Sequence, residues 1–266
     1  MKFAFLADPL DHFKIYKDTT YAMMSEAARR GHSVYAFQQK DMAYVEGKVT
    51  ANVARIEMTG DQKHWYRADP AEACQLNAFD AIIVRKDPPF NMEYIYLTYL
   101  LEVAESQGAR VINKPEAIRS HNEKAAIAQF PQFTTPTLIT SDSDRIRAFH
   151  REHRDIILKP LDGMGGIGIF RVKEDGLNLG SIIETLTGHG AHSIMVQRFI
   201  PEIVDGDKRV LLIGGQVVPY CLARIPQAGE VRGNLAVGGL GVAQEISARD
   251  REIGEAIAPV LLKRGL

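Results

Sequence analysis

The run Ile156-Ile157-Leu158-Lys159-Pro160-Leu161-Asp162-Gly163-Met164-Gly165-Gly166-Ile167-Gly168-Ile169-Phe170-Arg171-Val172 carries the densest chemical signal in the chain. An apolar segment ends in a lysine, four glycines follow within six residues, and a second apolar segment begins. Glycine lacks a Cβ and tolerates φ > 0, so backbone N–H groups can crowd around a polyanion. Lys159 adds a point charge at the base of the loop. The chemistry this favours is phosphate binding, with a nucleotide as the natural carrier. A plain glycine-rich hairpin is the alternative.

Gly163, Gly165 and Gly168 also satisfy G-x-G-x-x-G, a dinucleotide-binding pattern whose third glycine opens a helix. Here Ile169-Phe170-Arg171-Val172-Lys173 alternates apolar and charged residues, which reads as a strand. The context disfavours a nicotinamide-dependent dehydrogenase. No Lys-Ser or Lys-Thr follows the glycines, which excludes a Walker A loop. A glycine-rich loop between two strands, covering phosphates, fits better.

A second constellation flanks Gly214-Gly215, a two-residue turn signal. A tight turn pairs Ile213 with Gln216, and therefore Arg209 with Tyr220. Alternation then puts Arg209, Tyr220 and Arg224 on one face and Cys221 on the other. Two guanidiniums on one face suit an anionic substrate, since each can fork onto a carboxylate or phosphate. A solvated face with arginines pairing nearby acids is the alternative, and Pro219 implies an edge or a bulge able to shift the register. Residues 225–241 hold five glycines and Arg232, the composition of a lid able to close over a transferring phosphoryl group, or of an unstructured loop. Gln197-Arg198-Phe199-Ile200 closes a strand before Pro201; its backbone edge could read an adenine with Phe199 or Ile200 on the base, or it is ordinary core. Asp207 could accept ribose hydroxyls or cap the turn before Lys208. Lys124, near a helix start, carries no signal alone. The eight histidines form no metal-ligand spacing.

The elements that must position these groups are legible. Lys2 to Ala7 and Ser33 to Phe37 read as strands around a helix that Asp18 caps and Gly31 stops, a unit implying parallel pairing by a right-handed crossover. Residues 40–70 show no clean period and read as hairpins or loops. A strand over 80–85, an Asn91-capped helix to about Gln107, a strand over 110–113, a short helix from Pro115 and another from the Asn122 region follow. Further on come a strand at Leu138-Ile139, a helix to about His153, the strand bearing Lys159, a helix at 181–186, a strand over 193–199, the hairpin, and an amphipathic helix from Ala248 to Lys263. At 266 residues, two or three domains are expected. A net charge of −1 gives no pull toward nucleic acid or an acidic membrane, and no apolar run reaches membrane-spanning length. Two distant cysteines, Cys74 and Cys221, argue for a reducing compartment. The expectation is a cytoplasmic protein.

Arg85-Lys86-Asp87-Pro88-Pro89-Phe90, Asn113-Lys114-Pro115, Asn122-Glu123-Lys124, the Lys159 glycine loop, Asp205-Gly206-Asp207-Lys208-Arg209-Val210 and Pro219-Tyr220-Cys221-Leu222-Ala223-Arg224-Ile225-Pro226 resemble the prokaryotic glutathione synthetases of the ATP-grasp superfamily. The resemblance implies an α/β protein: a parallel α/β substrate domain over 1–122, an ATP-grasp central lobe over 123–199, and a C-terminal lobe over 200–266 with a lid at 225–241. It implies ATP-dependent ligation of γ-glutamylcysteine to glycine through an acyl phosphate. Lys124, Lys159, Gly163, Met164, Gly165, Gly166, Gln197, Arg198, Phe199, Ile200 and Asp207 would hold ATP. Arg85, Arg209 and Arg224 would bind the peptide substrate, with Arg209, Arg224 and Arg232 supporting the chemistry. A homo-oligomer is also implied. The family's Mg²⁺ ligands are expected beyond Leu266, leaving the C-terminal lobe incomplete, and Asp250, Glu252 and Glu255 are expected on an exposed helix face, out of position to replace them.

Overall fold

The computed structural model describes residues 1–227, 233–235 and 238–266, which divide into two compact units: Met1–Ser120 with Gly265–Leu266, and His121–Arg264. The first unit runs β1 (Lys2–Ala7), α1 (Thr19–Arg29), β2 (Ser33–Phe37), β3 (Met42–Val45), β4 (Lys48–Met58), β5 (Tyr66–Ala68), β6 (Glu72–Gln75), β7 (Ala81–Arg85), α2 (Met92–Ser106), β8 (Val111–Ile112) and α3 (Pro115–Ser120). β1 pairs in parallel with β2 on one side and β7 on the other, β7 pairs in parallel with β8, and antiparallel β4 carries β3, β5 and β6 beyond β2.

Helices on both faces explain why β1 is apolar from Phe3 onward. Ala4 and Leu6 join Ile82, Leu97 and Leu101 in one core, while Phe5 joins Met24, Val34, Ile56 and Trp65 in the other. The helix starts follow side-chain chemistry. The Asp18 carboxylate accepts from the amides of Thr20 and Tyr21 at 2.7 and 3.0 Å, and Asn91 accepts from the Tyr94 amide at 3.0 Å. The unsettled 40–70 segment forms the β3–β4 and β4–β5 hairpins, and β6 is a strand that the sequence pattern did not reveal.

The second unit contains β9 (Thr137–Thr140), α4 (Ser143–His153), β10 (Ile156–Pro160), β11 (Phe170–Val172), α5 (Leu179–Thr187), β12 (Ile194–Arg198), β13 (Asp207–Ile213), β14 (Gln216–Ile225), β15 (Leu240–Glu245) and α6 (Ala248–Arg264). Its four-stranded antiparallel sheet has the order β11-β10-β12-β9. Ile156, Leu158, Val172, Ile194 and Val196 all face Ile146, Leu179 and Ile183, so α4 and α5 lie on the same face. Alternation therefore sends Ile157, Lys159, Arg171, Met195 and Gln197 to the opposite face. A separate antiparallel sheet, β13-β14-β15, packs against α6, where a Cβ on Gly254 would come within 2.6 Å of Val217.

Four expectations change. The Asn122 region starts a 3₁₀ turn over Ala125–Gln129 rather than an α-helix. The segment expected to be a lid over 225–241 overlaps two strands, because Ile225 ends β14 and Leu240 and Gly241 begin β15, and its residues 228–232 and 236–237 lie outside the described residues. In the hairpin, Ile213 does face Gln216, but Arg209 pairs with Leu222 rather than Tyr220. Pro219 cannot donate to the ladder, and Val218-Pro219-Tyr220 bulge opposite Leu211. The slip is two residues, so Arg209, Tyr220 and Arg224 still share a face and Cys221 still takes the other. Asp250 is not on an exposed face. Its carboxylate accepts from the Ser247 amide at 2.8 Å and from Lys208 at 2.7 Å, while its own amide donates to Ser247 Oγ at 3.1 Å, a capping box at the start of α6. Glu252 and Glu255 are exposed and pair with Arg249 and Arg251.

Leu158 is fully buried under α4 and α5. Leu158→Ala should cost about 2–5 kcal/mol through lost burial and a residual cavity. Chemical denaturation of the two proteins measures this, and an unchanged midpoint would be inconsistent with that packing.

Candidate functional site

β10 delivers Lys159 to the sheet face that α4 and α5 leave uncovered, immediately before the glycine loop. The loop turns through Gly165, Gly166 and Gly168, whose φ angles of 66°, 85° and 71° lie in the region costly for any other residue. A Cβ on Gly163 would lie 2.8 Å from the Pro160 ring. Met164 is exposed at the tip and Ile167 more so, at 74%. The strand context predicted from the sequence holds: β10 and β11 on either side of the loop pair antiparallel.

The structure brings Lys124 to the same place. Its ammonium donates to the Gly163 carbonyl and, at 2.7 Å, to Glu123, and its side chain is only 14% exposed. Asn122 fastens this arrangement. Its Oδ1 accepts from the amides of Lys124 and Ala125 at 3.0 and 2.9 Å, and its Nδ2 donates to the Leu161 carbonyl at 3.1 Å. Sequence reasoning saw Asn122 only as a helix start and missed it as the tie between Lys124 and the loop. Burial, and then the nearby Lys124 charge, lower the pKa of Lys159, with Glu123 opposing. Two partly desolvated cations beside a glycine loop form a site with an unmet demand for negative charge.

At the far end of the same sheet face, Gln197 donates to Thr137 Oγ1 at 2.9 Å. Arg198 alternates to the helix-covered side at its exposed margin, and its amide donates to the Pro136 carbonyl at 3.1 Å. Phe199 is 8% exposed and Ile200 50%. In the β13-β14 sheet, Asp207 and Arg224 are register partners and form a bidentate pair at 2.7 and 2.5 Å. Two residues expected to meet different parts of the ligand set thus hold each other. A Cβ on Gly233 would stand 2.5 Å from the Arg224 carbonyl, so only glycine lets that segment approach the pair. Arg209 is exposed on the same face. Arg232 lies outside the described residues.

Arg85 belongs to the first unit. It ends β7, donating from Nε to Thr20 Oγ1 at 3.0 Å and from Nη2 to Thr19 Oγ1 at 2.6 Å. Next to it, Lys86 pairs with Asp8 at 2.8 Å, and burial followed by the Asp8 charge raises the pKa of Asp87. A cavity of about 520 Å³ opens here beside Ala7, Asp8, Gln38 and Lys86, at the carboxyl ends of β1 and β7, where a parallel sheet of this order places its ligand crevice. Among the described residues, no group of three or more His, Cys, Asp or Glu is placed to hold a metal ion.

Comparison with known proteins covers the same ground. The N-terminal domain of prokaryotic glutathione synthetase matches residues 1–119, and the ATP-grasp domain of prokaryotic glutathione synthetase matches residues 123–266. A glutathione synthetase of Ralstonia nicotianae is 58% identical over all of this chain and 82% of its own length. One from Neisseria meningitidis serogroup A is 56% identical over 100% and 85%. Among solved structures, the D-cycloserine synthetase DcsG superposes with a TM-score of 0.66 at 15% identity, covering all of this chain and 82% of that one. The ATP-grasp ligase PsnB, solved with a precursor peptide and AMPPNP, gives 0.58 at 20% identity over 100% and 81%. At those identities the likeness is one of fold.

The lowered pKa of Lys159 has a signed consequence. Between that value and the ordinary lysine pKa of about 10.4, the unfolded chain binds more protons, so stability is lost as pH falls through this window and stays lost at neutral pH. Lys159→Met should therefore melt higher than the parent at pH 7, and the gap should close as pH rises toward the ordinary value. Calorimetry of the nucleotide-free proteins measures it; a variant melting lower at pH 7 would contradict the reading.

Proposed function

This chain belongs to the prokaryotic glutathione synthetases, a family of ATP-grasp, ATP-dependent carboxylate–amine ligases, and on that premise we propose how its residues divide the work. The reaction uses ATP to join γ-glutamylcysteine to glycine. In the proposed sequence, the cysteinyl carboxylate oxygen attacks the γ-phosphorus, and ADP leaves with the electrons of the broken P–O bond. The glycine nitrogen then attacks the acyl carbon, phosphate departs, and the nitrogen loses its extra proton.

The observation that carries this reading is the convergence of Lys124 and Lys159 on one glycine loop. A triphosphate satisfies both cations and the loop amides at once, and in a water-poor site such contacts strengthen as charge moves. Gly163 to Gly166 and Met164 cover the phosphates. Gln197, Phe199 and Ile200 face the adenine, with Arg198 turned to the other side of the sheet, and Asp207 faces the ribose. Arg85, Arg209 and Arg224 hold the dipeptide carboxylates, and Arg232 closes over the transferring group. Mg²⁺ accompanies ATP in this family in general, where it neutralises phosphate charge. The described residues offer no cluster of donors for it, so no step is assigned through it. A homo-oligomer is the association that family membership suggests. Among the described residues no helix is long and apolar enough to cross a membrane, and a cytoplasmic setting fits the cysteine usage.

A coupled ADP-release assay with γ-glutamylcysteine and glycine, read alongside direct ATP binding, tests the assignment. Lys159→Ala should weaken ATP binding, and Arg224→Ala should cut glycine-dependent turnover about 10²–10³-fold, the usual cost of one transition-state donor. Parent-like behaviour of both variants would refute the roles.

A further inference from the structure

Three strands of the second unit are tied together at the end of the sheet face opposite Lys159. Arg171, on β11, forks onto Asp155 at the entrance to β10, from Nε at 2.9 Å and from Nη2 at 2.6 Å. The same guanidinium sits over the Phe199 ring at the exit of β12, with its central carbon 3.5 Å from the ring centroid. The Phe199 amide closes the triangle by donating to the Asp155 carbonyl at 2.9 Å. The pair is only partly exposed, 29% and 34% for the two side chains, and Phe199 is buried. This is more fastening than a sheet edge requires, because β10 and β12 are already joined by their own ladder.

Its position on the sheet gives it meaning. Asp155 stands one residue before β10 and four residues ahead of Lys159, a separation of roughly 13 Å if the usual strand rise is carried back to it. That is the order of the span from a purine to a terminal phosphate. Gln197 lies between, on the same face. We propose that Arg171 is a positioning residue for nucleotide recognition: by gripping Asp155 and the Phe199 ring, it fixes the strand exit Phe199-Ile200 against which a purine base rests. The inference builds on the proposed placement of adenine at Gln197 to Ile200. Arg171 touches the base only through Phe199, so it governs affinity for the base and leaves the phosphate end alone.

Equilibrium binding to the full chain, with a non-hydrolysable ATP analogue and inorganic tripolyphosphate as separate probes, tests this. Arg171→Leu should bind the analogue about tenfold more weakly, the scale of one cation–π contact with its fork, while binding tripolyphosphate as the parent does. Lys159→Ala should weaken both probes. Arg171→Lys, which keeps a cation over the ring and loses the fork, should fall between. Phe199→Leu combined with Arg171→Leu should be no weaker than either alone, since they act through one contact. Equal loss of both probes in Arg171→Leu, or no loss of either, would overturn the proposal. Photolabelling with an azido-purine analogue separates the two layers. Label outside residues 197–200 would sink the adenine placement itself, whereas label within them and parent-like binding by Arg171→Leu would sink only the role of Arg171.

Discussion

A β-strand can present its side chains to two faces only, and the four-stranded sheet of the second unit spends one face entirely on stability. Ile156, Leu158, Val172, Ile194 and Val196 are committed to α4 and α5, which leaves the intervening positions for other purposes. Lys159 and Gln197 occur where they do because their neighbours in sequence are buried. The same alternation fixes the order of groups along the open face, from the Asp155–Arg171–Phe199 triangle to Lys159 and the glycine loop. A one-residue slip in β10 would turn Lys159 into the core and put Leu158 in its place beside the glycine loop.

Charge is arranged with similar economy. Burial penalises the Lys159 ammonium, and the nearby Lys124 charge adds to that penalty. Glu123 offsets this only in part. A polyanion entering this corner would relieve that penalty, and part of its affinity would come from the relief. Asn122 makes that arrangement definite by fixing Lys124 to the loop through two short backbone contacts and one side-chain donor. Without such a tie, a long lysine side chain would relax into solvent and lower its own cost.

Much of this was legible from residues alone, for identifiable reasons. Apolar periodicity gave the central strands and helices, and capping residues such as Asp18 and Asn91 gave helix starts. The glycine loop was legible because strand patterns bracket it. What escaped is what depends on contacts distant in sequence. β15 begins inside a glycine-rich stretch that masks its alternation, and β6 is too short to show a period. The hairpin register depended on how Pro219 is accommodated, which a turn signal cannot report. Arg171 and Asp155 are ordinary residues in sequence, and their joint grip on Phe199 exists only once β10, β11 and β12 are side by side.

Under the proposed roles, the Asp207–Arg224 contact would serve two ligands. Read separately, the carboxylate is a ribose acceptor and the guanidinium a carboxylate clamp, and a direct bond between them seems to consume both. The geometry resolves this. Arg224 gives Asp207 its Nε and Nη2 edge, and a guanidinium has more donors than that fork consumes, just as a carboxylate has more lone pairs. The pair therefore holds each member in a set orientation without exhausting it. Arg224 is 16% exposed and its partner 36%, so breaking the pair to admit a ligand would strand a desolvated charge. Under the proposed roles, ribose and dipeptide bind to the outer edges of an intact pair, and each ligand finds its anchor already oriented by the other's.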